Sequence, residues 1–435
     1  MAELVRWLYT IAWWLALPLV LARLWWRGRR EPGYRRHVAE RLGFYRQRDA
    51  NAGGEGDKEL LPTLWVHAVS VGETRAAEPL IDALLASCQG HRIVLTHMTP
   101  TGRAIGTALY ARHGARLTQC YLPYDICSIV ARFLKHFQPQ VCLLIETEVW
   151  PNLVAQCTRR GVPVALVNAR LSARSLARGQ RMRLLIGAAA RGLTCVAAQT
   201  DADAQRLRQL GVSSVTVTGS IKFDVEPSAF QVAQGARWRQ QFGSRRVVLF
   251  ASTREGEETA ILAALRTIPL DALLIIVPRH PQRFDDVAAV ITQEGLSLMR
   301  RSQLGEGMLP STVNVLLGDS MGEMSAYYAA ADLAFIGGSL LPLGGQNLIE
   351  ACAVGTPVLI GLHTFNFSTV TENAIAAGAA LQVEDAPSLL ASIQALLSDE
   401  AVRGAMAGAA RGFALQHRGA TGRTMALLHA TVLAG

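Results

Sequence analysis

The segment Val141-Cys-Leu-Leu-Ile145-Glu-Thr-Glu148-Val-Trp-Pro-Asn152 sets out the fold in miniature. Five consecutive apolar residues without polar alternation describe a strand buried on both faces, as in a parallel sheet covered by helices. Glu146 and Glu148 follow where the strand runs out, and Pro151 suits the first turn of a helix. Outward from this segment, similar apolar runs recur at 64–69, 92–97, 163–168 and 193–198, each followed by residues with helical spacing. The pattern lapses around Val225-Glu-Pro-Ser228 and restarts at 246–251, 272–277, 313–317, 332–337 and 357–360. This predicts an α/β chain of two Rossmann-like doubly wound domains, 60–222 and 228–410, facing a cleft, with a helical segment at 411–435. Ligands of such sheets bind beyond the carboxyl ends of the strands, so the loops there are where chemistry is sought.

The chain has 435 residues, half of them hydrophobic, so a large core can form and disorder is excluded as its general state. Its seven cysteines show neither C-x-x-C nor Cys/His spacing, which points to buried thiols and away from a disulfide framework or a zinc site. The net charge of +9 is local. Residues 1–48 carry ten Arg against Glu3, Glu31 and Glu40, a balance of +7, which leaves +2 for the rest. A nucleic-acid partner is therefore not expected. The basic patch directly follows an apolar run, since Trp7 to Ala22 is uncharged and five of the eight tryptophans lie at positions 7, 13, 14, 25 and 26. Indole rings favour the membrane interface, and Arg27, Arg29, Arg30, Arg35 and Arg36 suit anionic headgroups. Residues 1–48 are read as a membrane-anchoring helix with a basic juxtamembrane segment. A signal peptide would carry its charge before the apolar run and a small-residue cleavage site after it. A buried core helix is the other alternative, and with Pro18 inside the run both spanning and interfacial geometries stay open. Residues 49–59 are polar and glycine-rich, a flexible connection to the body.

Polar motifs follow the strand runs. After the first comes Ser70-Val-Gly72-Glu73-Thr74, in which Glu73 either accepts a proton from an attacking hydroxyl or simply complements a helix dipole. Glu146 and Glu148 are expected to face opposite sides, so that one of them lines the cleft. Asn168-Ala-Arg170 and Gly219-Ser-Ile-Lys222-Phe-Asp224 bring cations to the same edge. In the second half, Pro278-Arg279-His280, Met321-Gly322-Glu323 and Gly344-Gly345-Gln346-Asn347-Leu348-Ile349-Glu350 offer cations, glycine turns and a helix start to a nucleotide phosphate. Neither G-x-G-x-x-G nor G-x-x-x-x-G-K-[ST] is present, which argues against dinucleotide enzymes and P-loop NTPases.

Taken in order, these segments resemble the bacterial transferases of 3-deoxy-D-manno-octulosonic acid (Kdo). The resemblance runs from Leu24-Trp-Trp-Arg-Gly-Arg-Arg30 through Val69-Ser-Val-Gly-Glu73, Met98-Thr-Pro-Thr-Gly102, Tyr121-Leu-Pro-Tyr-Asp125 and Glu146-Thr-Glu-Val-Trp-Pro-Asn152. It continues through Asn168-Ala-Arg-Leu-Ser-Ala-Arg174, Lys222-Phe-Asp224, Pro278-Arg-His-Pro281, Gly322-Glu-Met324 and His363-Thr-Phe-Asn-Phe367. It implies a fold of GT-B type and an inverting glycosyltransferase that moves Kdo from CMP-Kdo to a lipid A precursor (lipid IVA-like) in lipopolysaccharide core biosynthesis. It implies Glu73 as proton acceptor, Glu146 and Lys222 as transition-state stabilisers, and CMP contacts at Pro278, Arg279, Met321, Gly322, Glu323, Asn347, Leu348, Ile349 and Glu350. No metal or cofactor is implied. The partners are CMP-Kdo, the lipid acceptor and membrane lipids, at the cytoplasmic side of the bacterial inner membrane. One departure stands out: the family's Gly-Gly-His-Asn-Pro-Leu-Glu is Gly344-Gly-Gln-Asn-Leu-Ile-Glu350 here. A transferase using a UDP-sugar, a sugar-nucleotide epimerase and a non-catalytic membrane nucleotide-binding protein are the alternatives.

Overall fold

Apolar runs that alternate with helices pair in parallel, because each crossover helix returns the chain to the same end of the sheet. The computed structural model describes residues 1–29, 31–45 and 61–433, and the 49–59 connection lies outside them, as does Arg30. The described chain divides into two units, one of residues 1–225 with 418–435 and one of residues 226–417.

The first unit holds β1 (Thr63–His67), β2 (Arg92–His97), β3 (Leu117–Tyr121), β4 (Pro139–Ile145), β5 (Val164–Ala169), β6 (Cys195–Ala198) and β7 (Val215–Val217). They form one sheet in the order β3-β2-β1-β4-β5-β6-β7, every pair parallel. The second unit holds β8 (Val247–Thr253), β9 (Leu273–Pro278), β10 (Leu298–Arg300), β11 (Val315–Leu317), β12 (Leu333–Ile336), β13 (Val358–Ile360) and β14 (Ala380–Gln382). Its order is β10-β11-β9-β8-β12-β13-β14, again all parallel. Both sheets are doubly wound. The order reverses between β1 and β4 in the first and between β8 and β12 in the second, so each sheet has a crevice at that point.

Four strands escape the reading of continuous apolar runs: β3, β7, β10 and β14. They are the four sheet edges. An edge strand is partly exposed, so its residues need not be apolar: Val215–Val217 reads half-buried then exposed, and Leu298–Arg300 is half-buried throughout. The expected 410/411 boundary falls inside the helix Glu400–Gln416, and the following helix, Ala420–Thr431, packs back on the first unit through Met425 and Leu428.

Trp65 anchors the first core. It is fully buried, packs at a tilt on Phe133 with ring centroids 4.4 Å apart, and donates its indole N–H to Thr96 Oγ1 at 2.9 Å. Removing it leaves a cavity and takes one partner from the Thr96 hydroxyl, which keeps His67 Nδ1 at 2.9 Å. We expect Trp65→Ala to destabilise the first unit by about 3–5 kcal/mol, read as a lowered urea midpoint of that unit's unfolding.

Candidate active site

The loop after β1 is shaped by a reciprocal cap. Ser70 Oγ accepts from the Glu73 backbone N–H at 3.3 Å, opening the helix Val71–Ala76. In return the Glu73 carboxylate accepts from Val69 N–H at 2.7 Å and from the Ser70 hydroxyl at 3.2 Å. The structural reading of Glu73 thus describes real contacts, but its electrostatics go further. Burial, then the nearby charge of Glu146, pushes its pKa up from the ordinary carboxylate value to about 7. The hydrogen bonds from Val69 and Ser70 oppose the rise without cancelling it. A carboxylate with that proton affinity is poised to take a proton near neutral pH.

Glu146 sits at the carboxyl end of β4, across the switch point from β1. It is 5% exposed, with Lys222 Nζ 2.6 Å from Oε1 and Arg170 Nε 3.4 Å from Oε2. Its backbone is left-handed (φ 65°), as is that of Asn168 at the end of β5 (φ 55°). Such conformations cost non-glycine residues roughly 1–2 kcal/mol each, and here they turn the chain so that the side chains meet. Asn168 Oδ1 accepts from Ile221 N–H at 3.2 Å, which places the short helix Ile221–Asp224 and with it Lys222. Asp224 is tied in turn to Gly419 N–H at 2.6 Å, at the start of the C-terminal helix.

The expectation that Glu146 and Glu148 face opposite sides does not hold, since residues two apart on a strand share a face. The strand itself ends at Ile145, and the chain takes a left-handed turn at Glu146, so both acids lie beyond it. Glu148 accepts from its neighbour Trp150 Nε1 at 2.8 Å, and its charge also raises the pKa of Glu73. Both acids therefore lie near Glu73.

In the second unit the motifs expected to meet a nucleotide lie in the segments after β9, β11 and β12, at the carboxyl edge of the sheet. Pro278 ends β9, and Arg279 donates through Nε to Gln346 Oε1 at 3.1 Å. The departure at 346 thus has a use, because a neutral amide oxygen can accept from a guanidinium where a protonated imidazole cannot. Gly344 and Gly345 both have positive φ, but the helix opens later and is short, Ile349–Val354. Asn347 Oδ1 caps it by accepting from Ile349 N–H at 3.0 Å, and Glu350 lies in its first turn. Leu348 and Ile349 are buried, so their side chains belong to the core and leave only backbone groups to offer a ligand. Gly322 takes a positive φ between exposed Met321 and Glu323, whose carboxylate pairs with Arg301 at 2.9 Å. Among the described residues no group of three or more His, Cys, Asp or Glu could hold a metal ion.

One residue escaped the sequence reading. Glu257, fully buried, accepts from Arg254 N–H (2.9 Å) and Gly338 N–H (2.7 Å) through Oε2 and from Leu340 N–H (3.0 Å) through Oε1. It fastens the loop after β8 to the Gly337-Gly338-Ser339 turn after β12. Gly337 permits that approach, since a Cβ there would lie 2.5 Å from Ser252 O. The only hint in the sequence was an acid-rich run, Arg254-Glu-Gly-Glu-Glu258, ending a strand.

Residues 36–225 match the family model described as 3-deoxy-D-manno-octulosonic-acid transferase (kdotransferase), and residues 273–413 match glycosyl transferases group 1. A 3-deoxy-D-manno-octulosonic acid transferase of Bordetella pertussis is 46% identical over 429 residues, covering 97% of this chain and 98% of that one. This chain belongs to the Kdo transferase family. The Haemophilus influenzae enzyme of the same name is 34% identical over 436 residues, with 97% and 98% covered. Two solved structures share the fold alone. One is HepE of Anabaena in complex with UDP (TM-score 0.57, 15% identity, 85% of this chain and 99% of that one). The other is UDP-GlcNAc 2-epimerase of Neisseria meningitidis (TM-score 0.57, 16% identity, 84% and 99%). The Kdo transferase described here is thus a glycosyltransferase with two Rossmann-like units of GT-B type.

The buttress at Glu257 makes a specific expectation. Glu257→Gln turns an accepting oxygen into a donor facing backbone N–H, and losing one charge-assisted hydrogen bond is worth about 1.5–3 kcal/mol. Urea titration should show the second unit less stable by about that amount, with the circular dichroism spectrum retained.

Proposed function

We propose that this Kdo transferase moves Kdo from CMP-Kdo onto a sugar hydroxyl of a lipid A precursor, lipid IVA-like, by a single inverting displacement. The reaction is placed at the cytoplasmic face of the bacterial inner membrane, in lipopolysaccharide core biosynthesis. The observation that carries the reading is the pairing of two carboxylates with opposite surroundings: Glu73, whose proton affinity is raised to about 7, and Glu146, ion-paired with Lys222 at 2.6 Å. Different environments assign acid–base and electrostatic roles to like groups.

The acceptor hydroxyl gives its proton to Glu73 as its oxygen bonds to the anomeric carbon of Kdo. The bond from that carbon to the CMP phosphate oxygen breaks, and its electron pair leaves with CMP. Positive charge develops near the anomeric carbon, which the Glu146 carboxylate stabilises, while Lys222 neutralises the departing phosphate or the sugar carboxylate. The second unit supplies the nucleotide contacts: Pro278 and Arg279, Met321-Gly322-Glu323, and the segment Asn347–Glu350. CMP carries one phosphate, so cationic side chains suffice for its charge and no metal is assigned. The apolar N-terminal helix and its arginines hold the enzyme to membrane lipids.

Glu73 acts in its ionised form. With its pKa raised to about 7, the active fraction falls as pH drops through neutrality, and kcat/KM should fall about tenfold per unit below about pH 7. Glu73→Gln should lose that limb and lower kcat by about 10²–10⁴-fold while CMP still binds. Transfer at the wild-type rate by the folded variant would remove Glu73 from this role. Mass analysis of the product from CMP-Kdo and the lipid A precursor, with the anomeric configuration read by NMR, tests donor, acceptor and inversion together. Competition by UDP in place of CMP would favour a UDP-sugar donor instead.

A further inference from the structure

Two motifs in the family resemblance find no use in catalysis: Tyr121-Leu-Pro-Tyr-Asp125 and Trp150-Pro-Asn152. Their polar groups are occupied elsewhere. The Asp125 carboxylate accepts from the backbone N–H groups of Asn152 (3.1 Å) and Leu153 (2.7 Å), capping the helix Pro151–Arg159. The Asn152 side chain, fully buried, donates to Asp125 O at 2.7 Å and to Thr10 Oγ1 at 3.0 Å. Thr10 belongs to the N-terminal helix Ala2–Arg27. These motifs therefore build a dock for that helix.

The dock holds the helix along its length. Arg159 reaches Glu3 at 3.3 Å near one end. Trp13 packs on Tyr124 with centroids 5.8 Å apart, and Leu17 is buried against Tyr124, Ile126 and Ile129. At the other end Arg35 donates to Trp25 O at 3.1 Å. The opposite side of the helix carries Leu4, Leu8, Ile11, Leu15, Leu19 and Trp26 at helical spacing, all half exposed or more. The helix is apolar enough to cross a bilayer by composition because it has two apolar faces, one for the body and one left open.

A helix docked in this way cannot span. Putting its middle in hydrocarbon would carry Asp125, Asn152 and the surface around them in with it, or break every contact just named. We propose that the N-terminal helix lies flat in the interface of an anionic bilayer, its open apolar face among the acyl chains and its other face on the body. The inference rests on the membrane attachment proposed above and adds its geometry. Charge complementarity supports the occupant: Arg23, Arg29 and Arg36 are exposed at the end of the helix, where headgroup phosphates would lie. The chain that follows leads to the catalytic edge. Glu40 pairs with Arg103 at 2.7 Å, and Arg41 donates to Met98 O at 3.0 Å, beside the Thr99 hydroxyl that reaches Val69 O. A flat helix thus brings the loop of Glu73 to the membrane surface, where a lipid acceptor resides.

The test uses the full chain with different epitopes at its two ends, in sealed vesicles prepared from expressing cells. A flat helix leaves both epitopes on the same side, digested or protected together by added protease. In the same vesicles the T10C variant should form a disulfide with Cys127, whose Sγ lies 3.6 Å from Thr10 Oγ1, on addition of copper phenanthroline. Membrane-bound protein with its epitopes on opposite sides, or without that disulfide, overturns the flat geometry and leaves attachment standing. Protein absent from the vesicle fraction, and failing to bind added vesicles of phosphatidylethanolamine and phosphatidylglycerol, overturns attachment and this inference with it.

Discussion

The ion pair between Glu146 and Lys222 ties several separate parts of the first unit together. A carboxylate 5% exposed needs cationic partners at close range, and meeting that need constrains the chain at three places. β4 must end in a left-handed residue to aim Glu146 across the edge, and β5 must end in another so that Asn168 can hold the Ile221–Asp224 turn. Asp224 must then be fixed by Gly419, which draws the C-terminal helix back to the first unit after the chain has built the second. The two left-handed residues, the Ile221–Asp224 turn and the returning terminus are all joined to this one buried charge.

That charge also bears on Glu73. Burial, and then the like charge of Glu146, raises the proton affinity of Glu73. The second unit solves a related problem with another buried acid. Glu257 faces three backbone N–H groups, and it serves to fix a glycine turn instead of moving protons. Gln346 continues that economy by accepting from Arg279, which keeps the guanidinium directed without adding charge.

Much of the fold was legible because its signal is local. Central strands are buried on both faces, so β1, β2, β4, β5 and β6, and later β8, β9, β11, β12 and β13, read as continuous apolar runs. The edge strands β3, β7, β10 and β14 gave no such signal, since one side of each meets solvent. The site residues were legible as polar groups after strands, yet their roles were not. Glu148 was misplaced because residues two apart share a face while a strand continues, and this strand ends before either acid. Leu348 and Ile349 looked like part of a ligand loop, although their side chains fill the core.

The sequence by itself determined the class of fold, the number of sheets and the family to which the chain belongs. These follow from patterns of adjacent residues, which report whether a segment is buried and where it turns. Only the tertiary structure decided which charges meet. Glu73, Glu146 and Lys222 are far apart in the chain, and the Glu146–Lys222 pairing and the raised proton affinity of Glu73 depend on distances and burial that no local pattern encodes. The same holds for the N-terminal helix. Its composition marked it as apolar, but its two faces became distinct only when Asn152 and Tyr124 covered one of them.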